Sequence, residues 1–277
     1  MDANGARRGD TLVSLASGVL PEFTPEETAS AAVTAGWPAV GIWVEPAIWT
    51  RATEVEVRSR TADAGAVVLD VEVVWLKPGP DDPDHFRIVD AGAAIGARNV
   101  LVVSSDPEPG STADKLARLV AHAADRGMRV SLEFAAFTEV RSLAAALDIL
   151  ERTGRPDAGL LVDPLHFVRT RSSLEALRGV DPRRLPYAQF CDAPAAGPPP
   201  SDVPEIIREA LDLRLDLGEG GLPLAGLLGA LPLATPLSIE LRSKALRGAW
   251  PDPAERAGAL LASTLAGLAR LRAGVDA

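Results

Sequence analysis

Short apolar runs recur along the chain, and between them lie stretches in which apolar positions return every three or four residues. The strand-like runs are TLVSLAS from Thr11, AVGIWVE from Ala39, AVVLDVEVVWL from Ala66 and NVLVVSS from Asn99. MRVSLEF from Met128, AGLLVDP from Ala158, PYAQFCD from Pro186 and PLSIELR from Pro236 complete the set. Val, Ile and Leu at successive positions are how strands buried on both faces read. TPEETASAAVTAG predicts a helix with Thr24 as N-cap, Pro25 at the first helical position, Glu27 completing a capping box and Gly36 closing it. STADKLARLVAHAADRG and EVRSLAAALDILERTG predict two more, closing on Gly127 and Gly154, and PAERAGALLASTLAGLARL predicts a long final helix.

Successive strand starts are 28, 27, 33, 29, 30, 28 and 50 residues apart. Units of that length fit strand–helix–strand repeats with right-handed crossovers, and eight of them in about 250 residues fit a barrel. A doubly wound open sheet is the rival, but no G-x-G-x-x-G follows the first strand. The expected fold is therefore α/β, a (β/α)8 TIM barrel forming a single domain over residues 1–277. Residues 1–9 are expected to be a flexible tail, and 193–235 an insertion between strands seven and eight that carries a further helix, VPEIIREAL, and the Gly-rich turn GEGG.

Composition narrows the partners. A net charge of −10 is the wrong sign for nucleic acid or an anionic membrane surface. The lone Cys191 excludes an internal disulfide framework, and neither a signal-like apolar segment nor a membrane-length apolar run occurs. The expectation is a cytoplasmic protein acting on a small-molecule substrate. The closing helix and the insertion could each make a subunit contact, so a homo-oligomer is compatible with the pattern.

Chemistry concentrates where a barrel of this kind keeps it, at the C-terminal strand ends. Glu133 ends the fifth run, Asp163 the sixth and Glu240 the eighth, while Gln189 lies in the seventh. Carboxylates crowded into an apolar mouth repel one another and need partners. A divalent cation meets both needs, and a set of acids plus an amide oxygen suits a hard ion. Pairing with local arginines is the other reading, since 25 of the 28 basic residues are Arg. His166, three residues past Asp163, is placed for a site role, whereas His85 and His122 fall in helical stretches and read as structural. Trp43 and Trp75 lie near strand ends and could wall a pocket. Glu72 could face the barrel or enter a core ion pair, and Cys191 reads as a buried thiol.

LEF at 132–134, DPLH at 163–166, QFCD at 189–192 and IEL at 239–241 resemble the xylose isomerase-like TIM-barrel superfamily, in particular its sugar phosphate isomerase/epimerase family. Arg214 to Gly220 resembles that group's R-x-x-P-G-x-G loop, with Leu217 in place of the proline. The resemblance implies Glu133, Asp163, Gln189 and Glu240 as metal ligands, and His166 and Arg214 as substrate contacts. Gln189 stands where the epimerases usually have His, which shifts the expected ion from Zn towards Mn, with Mg and Co as alternatives.

The implied activity is that of a metal-dependent isomerase or epimerase. Glu133 and Glu240 would move a proton beside a carbonyl through an enediolate. The alternatives are a dehydratase of the inosose or dehydroshikimate type and a metal-free binding protein on the same fold. A multi-zinc DNA-repair endonuclease of this fold is disfavoured by three histidines and the acidic balance. With one Gln, two Asn and three His, the chain has few groups to match many hydroxyls, which points to a less hydroxylated, partly apolar keto compound.

Overall fold

A computed structural model describes residues 11–275, so the expected tail at 1–9 lies outside the described residues. The strands are β1 (Val13–Leu15), β2 (Ala39–Trp43), β3 (Val67–Leu76), β4 (Asn99–Ser104), β5 (Arg129–Glu133), β6 (Gly159–Leu161), β7 (Ala188–Phe190) and β8 (Leu237–Ile239). All ladders are parallel, in the order β6-β5-β4-β3-β2-β1-β8-β7. The ends of that order approach one another where Gln189 N–H donates to the Val162 carbonyl at 3.0 Å. The sheet is thus a nearly closed TIM barrel, a single domain.

Helices α1 (Pro25–Ala35), α2 (Arg51–Asp63), α3 (Pro83–Ile95), α4 (Pro109–Ala124), α5 (Leu143–Arg152) and α6 (Pro164–Arg169) follow successive strands. The first forms as its sequence dictates: Thr24 Oγ1 accepts from Glu27 N–H, Glu27 Oε2 accepts from Thr24 N–H at 2.9 Å, and Gly36 closes it at φ 84°. Several helix boundaries differ from expectation. The helix expected from Glu139 starts at Leu143, because the Ser142 hydroxyl caps it by accepting from Ala145 N–H at 3.1 Å. The helix expected to reach Gly127 stops at Ala124.

After α7 (Leu174–Arg178) and β7, the 193–235 segment forms α8 (Val203–Asp212) and α9 (Leu224–Ala230), one helix more than the pattern suggested. Beyond β8 come α10 (Lys244–Ala249) and α11 (Pro253–Val275). No helix among the described residues is long and apolar enough to cross a membrane. A large aliphatic cluster fills the layer between strands and helices, and a smaller one, including Leu69, Leu101, Leu161 and Tyr187, joins side chains from several strands.

Two buried devices hold the insertion over the barrel. Arg169 of α6 donates to both carboxylate oxygens of Glu209 in α8, at 2.9 and 2.7 Å. Asp192, just past β7, accepts from the backbone N–H of Ala193, Gly218, Gly220 and Leu222 at 2.8–3.1 Å. Gly220 has to be glycine there, because a Cβ would stand 2.3 Å from the Ala193 carbonyl oxygen and 2.4 Å from Asp192 Oδ1.

Candidate active site

Glu133 closes β5, Gln189 sits within β7, and Glu240 follows β8, its N–H donating to the Phe190 carbonyl at 3.0 Å. The barrel register brings these side chains, with Glu72 of β3, onto one cavity of about 170 Å³. Trp43, Trp75 and Phe137 supply aromatic wall, and Ile207, Ala210 and Leu211 of α8 cover the mouth. Phe134 and Phe167, which also follow strand ends, pack instead into the outer aliphatic layer.

The electrostatics are those of acids short of partners. Glu133 Oε1 and Glu240 Oε2 are buried and have no hydrogen-bond partner. Burial, then the charge of Asp163, pushes the Glu133 carboxyl well above the usual carboxylate range against the pull of Arg214. Burial and neighbouring Glu72 push Glu240 up to about 7, although Arg214 and Arg242 oppose the shift. Glu72 accepts from the Ser17 hydroxyl at 2.5 Å, so it faces the cavity and not a core ion pair.

Asp163 is arranged differently. It lies behind the cavity wall, fully buried, with one oxygen accepting from Arg214 Nη1–H and the other from His166 N–H at 3.1 Å. Burial alone would raise its carboxyl, but the Arg214 guanidinium outweighs that and holds it below its ordinary value. Arg214 in turn donates from Nε to the Ala210 carbonyl at 2.9 Å and from Nη1 towards Cys191 Sγ at 3.2 Å. The arginine read from sequence as a substrate contact therefore borders the cavity while most of its donors serve the protein. Cys191 is fully buried, and burial pushes its thiol up, away from thiolate reactivity.

His166 lines the cavity, its Nε2 4.0 Å from Glu133 Oε1 and its ring edge-on to Phe137 at 5.3 Å. Burial, with Arg214 adding to it, pushes its pKa down to about 4 despite Asp163, so the ring is neutral at neutral pH. Trp75 anchors its indole by donating to Ser105 Oγ at 2.8 Å, and Trp43 stays partly exposed at the rim.

Two polar residues of the barrel were not singled out in the sequence. Asp70 is fully buried on β3 with Oδ1 unpartnered, and burial followed by the charge of Glu72 raises its carboxyl well above the ordinary range. The signal available was its period-two spacing with Glu72 inside an apolar run. Arg242, two residues past Glu240, reaches the same cavity, and no motif marked it.

Two unpartnered carboxylate oxygens and an amide on one cavity fit a hard divalent ion. Among the described residues no three His, Cys, Asp or Glu side chains form such a group by themselves, so the amide of Gln189 would have to complete the set, and Asp163 is turned to Arg214. The oxygen donors facing the cavity are thus Glu133, Gln189 and Glu240, together with Glu72, which is engaged by the Ser17 hydroxyl, and Asp163 lies behind them.

An eight-stranded parallel barrel with acids gathered at its C-terminal mouth defines a class of protein well suited to proton-transfer enzymes. Within that class, residues 32–264 match the model of the xylose isomerase-like TIM barrel family, and the chain belongs to that family. A 3-dehydroshikimate dehydratase from Pseudomonas aeruginosa is 28% identical over 264 residues, covering 88% of this chain and 39% of that protein. This chain therefore spans well under half of that curated relative. Among solved structures, the IOLI protein with a bound zinc atom superposes with a TM-score of 0.79 at 15% identity, covering 94% of this chain and 99% of that one. An L-ribulose 3-epimerase gives 0.69 at 18% identity, covering 96% and 97%. At those identities the two structures speak for the fold alone.

Proposed function

We infer that this chain is an enzyme that moves a proton at a carbon beside a carbonyl in a small hydroxy-keto compound, with loss of a β-hydroxyl as water. The observation that carries the reading is the pair Glu133 and Glu240, buried on one cavity with unpartnered oxygens and raised proton affinity. Glu240, near 7, is poised to take an α-proton at neutral pH, and Glu133, whose proton affinity burial and the charge of Asp163 raise, faces it across the cavity to pass a proton to a departing hydroxyl. Neutral His166 can hold a substrate oxygen by hydrogen bond, and Arg214 fixes both Asp163 and the mouth of α8. Trp43 and Trp75 wall the cavity at its rim.

Glu133, Gln189 and Glu240, with Asp163 behind them, would hold a divalent ion, manganese, magnesium or cobalt in preference to zinc. Bound there, such an ion supplies Lewis-acid polarisation of the substrate carbonyl.

The dehydratase outcome is supported by the 28% identical relative. A second reading, isomerisation or epimerisation, follows if no hydroxyl leaves and the proton returns to the opposite face or to the neighbouring carbon. The two acids on one cavity support it equally. Incubation with 3-dehydroshikimate and, separately, with ketoses in heavy water separates them. Water loss by mass spectrometry marks the first, and deuterium retained in an isomeric product marks the second. No α-deuterium exchange and no water loss with any added divalent ion would reject the enzyme reading and leave the metal-free binding protein.

A further inference from the structure

Beside the acidic cavity lies a larger one of about 590 Å³, formed by the turn after β1, the start of α1 and the segment joining β2 to α2. Its walls are mostly apolar, with Leu20, Phe23, Ile48 and Trp49 prominent, and Glu26 and Glu45 also stand on the lining. Trp43 and Arg242 border both cavities. The partition is thin: Ser17, in the wall of the larger cavity, donates to Glu72 in the smaller one at 2.5 Å. Gly18 likewise leaves no room for a side chain, since a Cβ would stand 2.3 Å from Glu240 Oε1 and 3.0 Å from Arg242 Cδ.

Arg242 is a loosely paired cation, its ion-pair contact being the long one to Glu240. Its Nε is buried with no acceptor, and its Nη1 stays 4.0 Å from Glu240 Oε1, beyond hydrogen-bond distance. The size difference matters too. Small-molecule sites run from about 300 to 1,000 Å³, so 170 Å³ takes a reacting fragment while 590 Å³ takes a ring-sized body.

We propose that one substrate spans both cavities: its reacting carbon enters the acidic cavity, its carboxylate meets Arg242 at the boundary, and an apolar ring-sized body fills the larger cavity. The substrate class is then an aryl- or alicyclic-substituted keto or hydroxy carboxylate, not a free sugar. Which end reacts rests on the function inferred above; the apolar subsite with its anion contact stands on the cavity and Arg242 alone.

The probe is 2-naphthoate, titrated into the purified full chain by calorimetry and by quenching of tryptophan fluorescence. Wild type should bind it. Arg242→Gln should weaken binding by about tenfold or more, the loss expected for a charge-assisted hydrogen bond. Thr28→Phe, which fills the cavity from α1, should do the same. If circular dichroism shows Thr28→Phe misfolded, Trp49→Ala replaces it and should weaken binding measurably by removing an aromatic wall. No binding to wild type, or unchanged affinity in Arg242→Gln and the folded cavity variant, overturns the proposal. Binding with these losses but no proton exchange on any hydroxy ketone would leave the subsite standing and reject only the reaction.

Discussion

Glu240 combines a carboxylate oxygen that has no partner with a proton affinity raised to about 7, and the bare backbone of Gly18 makes room for its other oxygen, since a Cβ there would stand 2.3 Å from Oε1. If it is the base, Glu240→Gln should lower turnover by about 10²–10⁴-fold while circular dichroism stays native; near-normal turnover refutes the role. The same group governs the pH dependence of stability in metal-free protein. Its folded pKa is raised from 4.5 to about 7, so its contribution is full below 4.5 and is lost as pH rises through 7. His166 acts the other way: lowered from 6.5 to about 4, it contributes above 6.5 and loses that contribution as pH falls through 4. Between pH 4.5 and 6.5 the two oppose each other, so melting temperature measured in chelator should fall as pH rises from 6.5 through 7 and then level, and Glu240→Gln should flatten that fall. An unchanged slope in the variant means Glu240 is ionised in the native protein. Gln189→His should tighten binding of transition metals, read by competition with a chelating dye; loss of metal binding would remove Gln189 from the donor set.

At the scale of elements, the segment between β7 and β8 is what turns a row of strand ends into a pocket. Two antiparallel bridges, Asp192 with Leu215 and Leu213 with Ser243, pin the backbone on either side of Arg214. Asp192 gathers four backbone N–H groups of that segment. Gly220→Ala should cost about 1–3 kcal/mol in urea unfolding, because the Cβ meets backbone and a carboxylate that cannot swing aside. A neutral result would show that the turn relaxes freely. Arg169→Met leaves Glu209 buried without its partner and should cost about 3–5 kcal/mol, whereas a shift under about 1 kcal/mol would mean that α8 moves to solvate the acid.

For the whole molecule, the barrel closes unevenly. β3 pairs with β2 over Val67–Glu72 and with β4 over Asp70–Leu76, while β6 and β7 meet through the Gln189 N–H to Val162 bond without a ladder. Local opening follows sparse hydrogen bonding. Hydrogen exchange should therefore be faster in the β6–β7 region than in β3 and β4; equal protection would show that side-chain packing, not the ladder, holds that seam. Because Gln189 flanks it, loading with a divalent ion that uses this amide should slow exchange there more than elsewhere.

Strand identity and the barrel were legible because a strand buried on both faces has no choice but to be apolar throughout, and each run from Thr11 to Pro236 contains the observed strand. Caps such as Thr24 with Glu27 were legible for the same local reason, whereas the start of α5 depended on Ser142 outcompeting a helix pattern that began earlier. Strand-end position alone nominated Glu133, Asp163, Gln189, Glu240 and His166, because register makes equal positions in successive strands equal heights in a barrel. Whether such a side chain faces the cavity is a different matter. Asp163 turned to Arg214, Phe134 and Phe167 went to the outer layer, and Arg242 reached both cavities, since each outcome depends on neighbours distant in the chain. The sequence by itself determined the elements, their order and the height of the acids, all consequences of local patterning and period. Only the tertiary structure decided which acid oxygens lack partners and which arginine borders both cavities, because pairing and desolvation depend on groups that folding alone brings together.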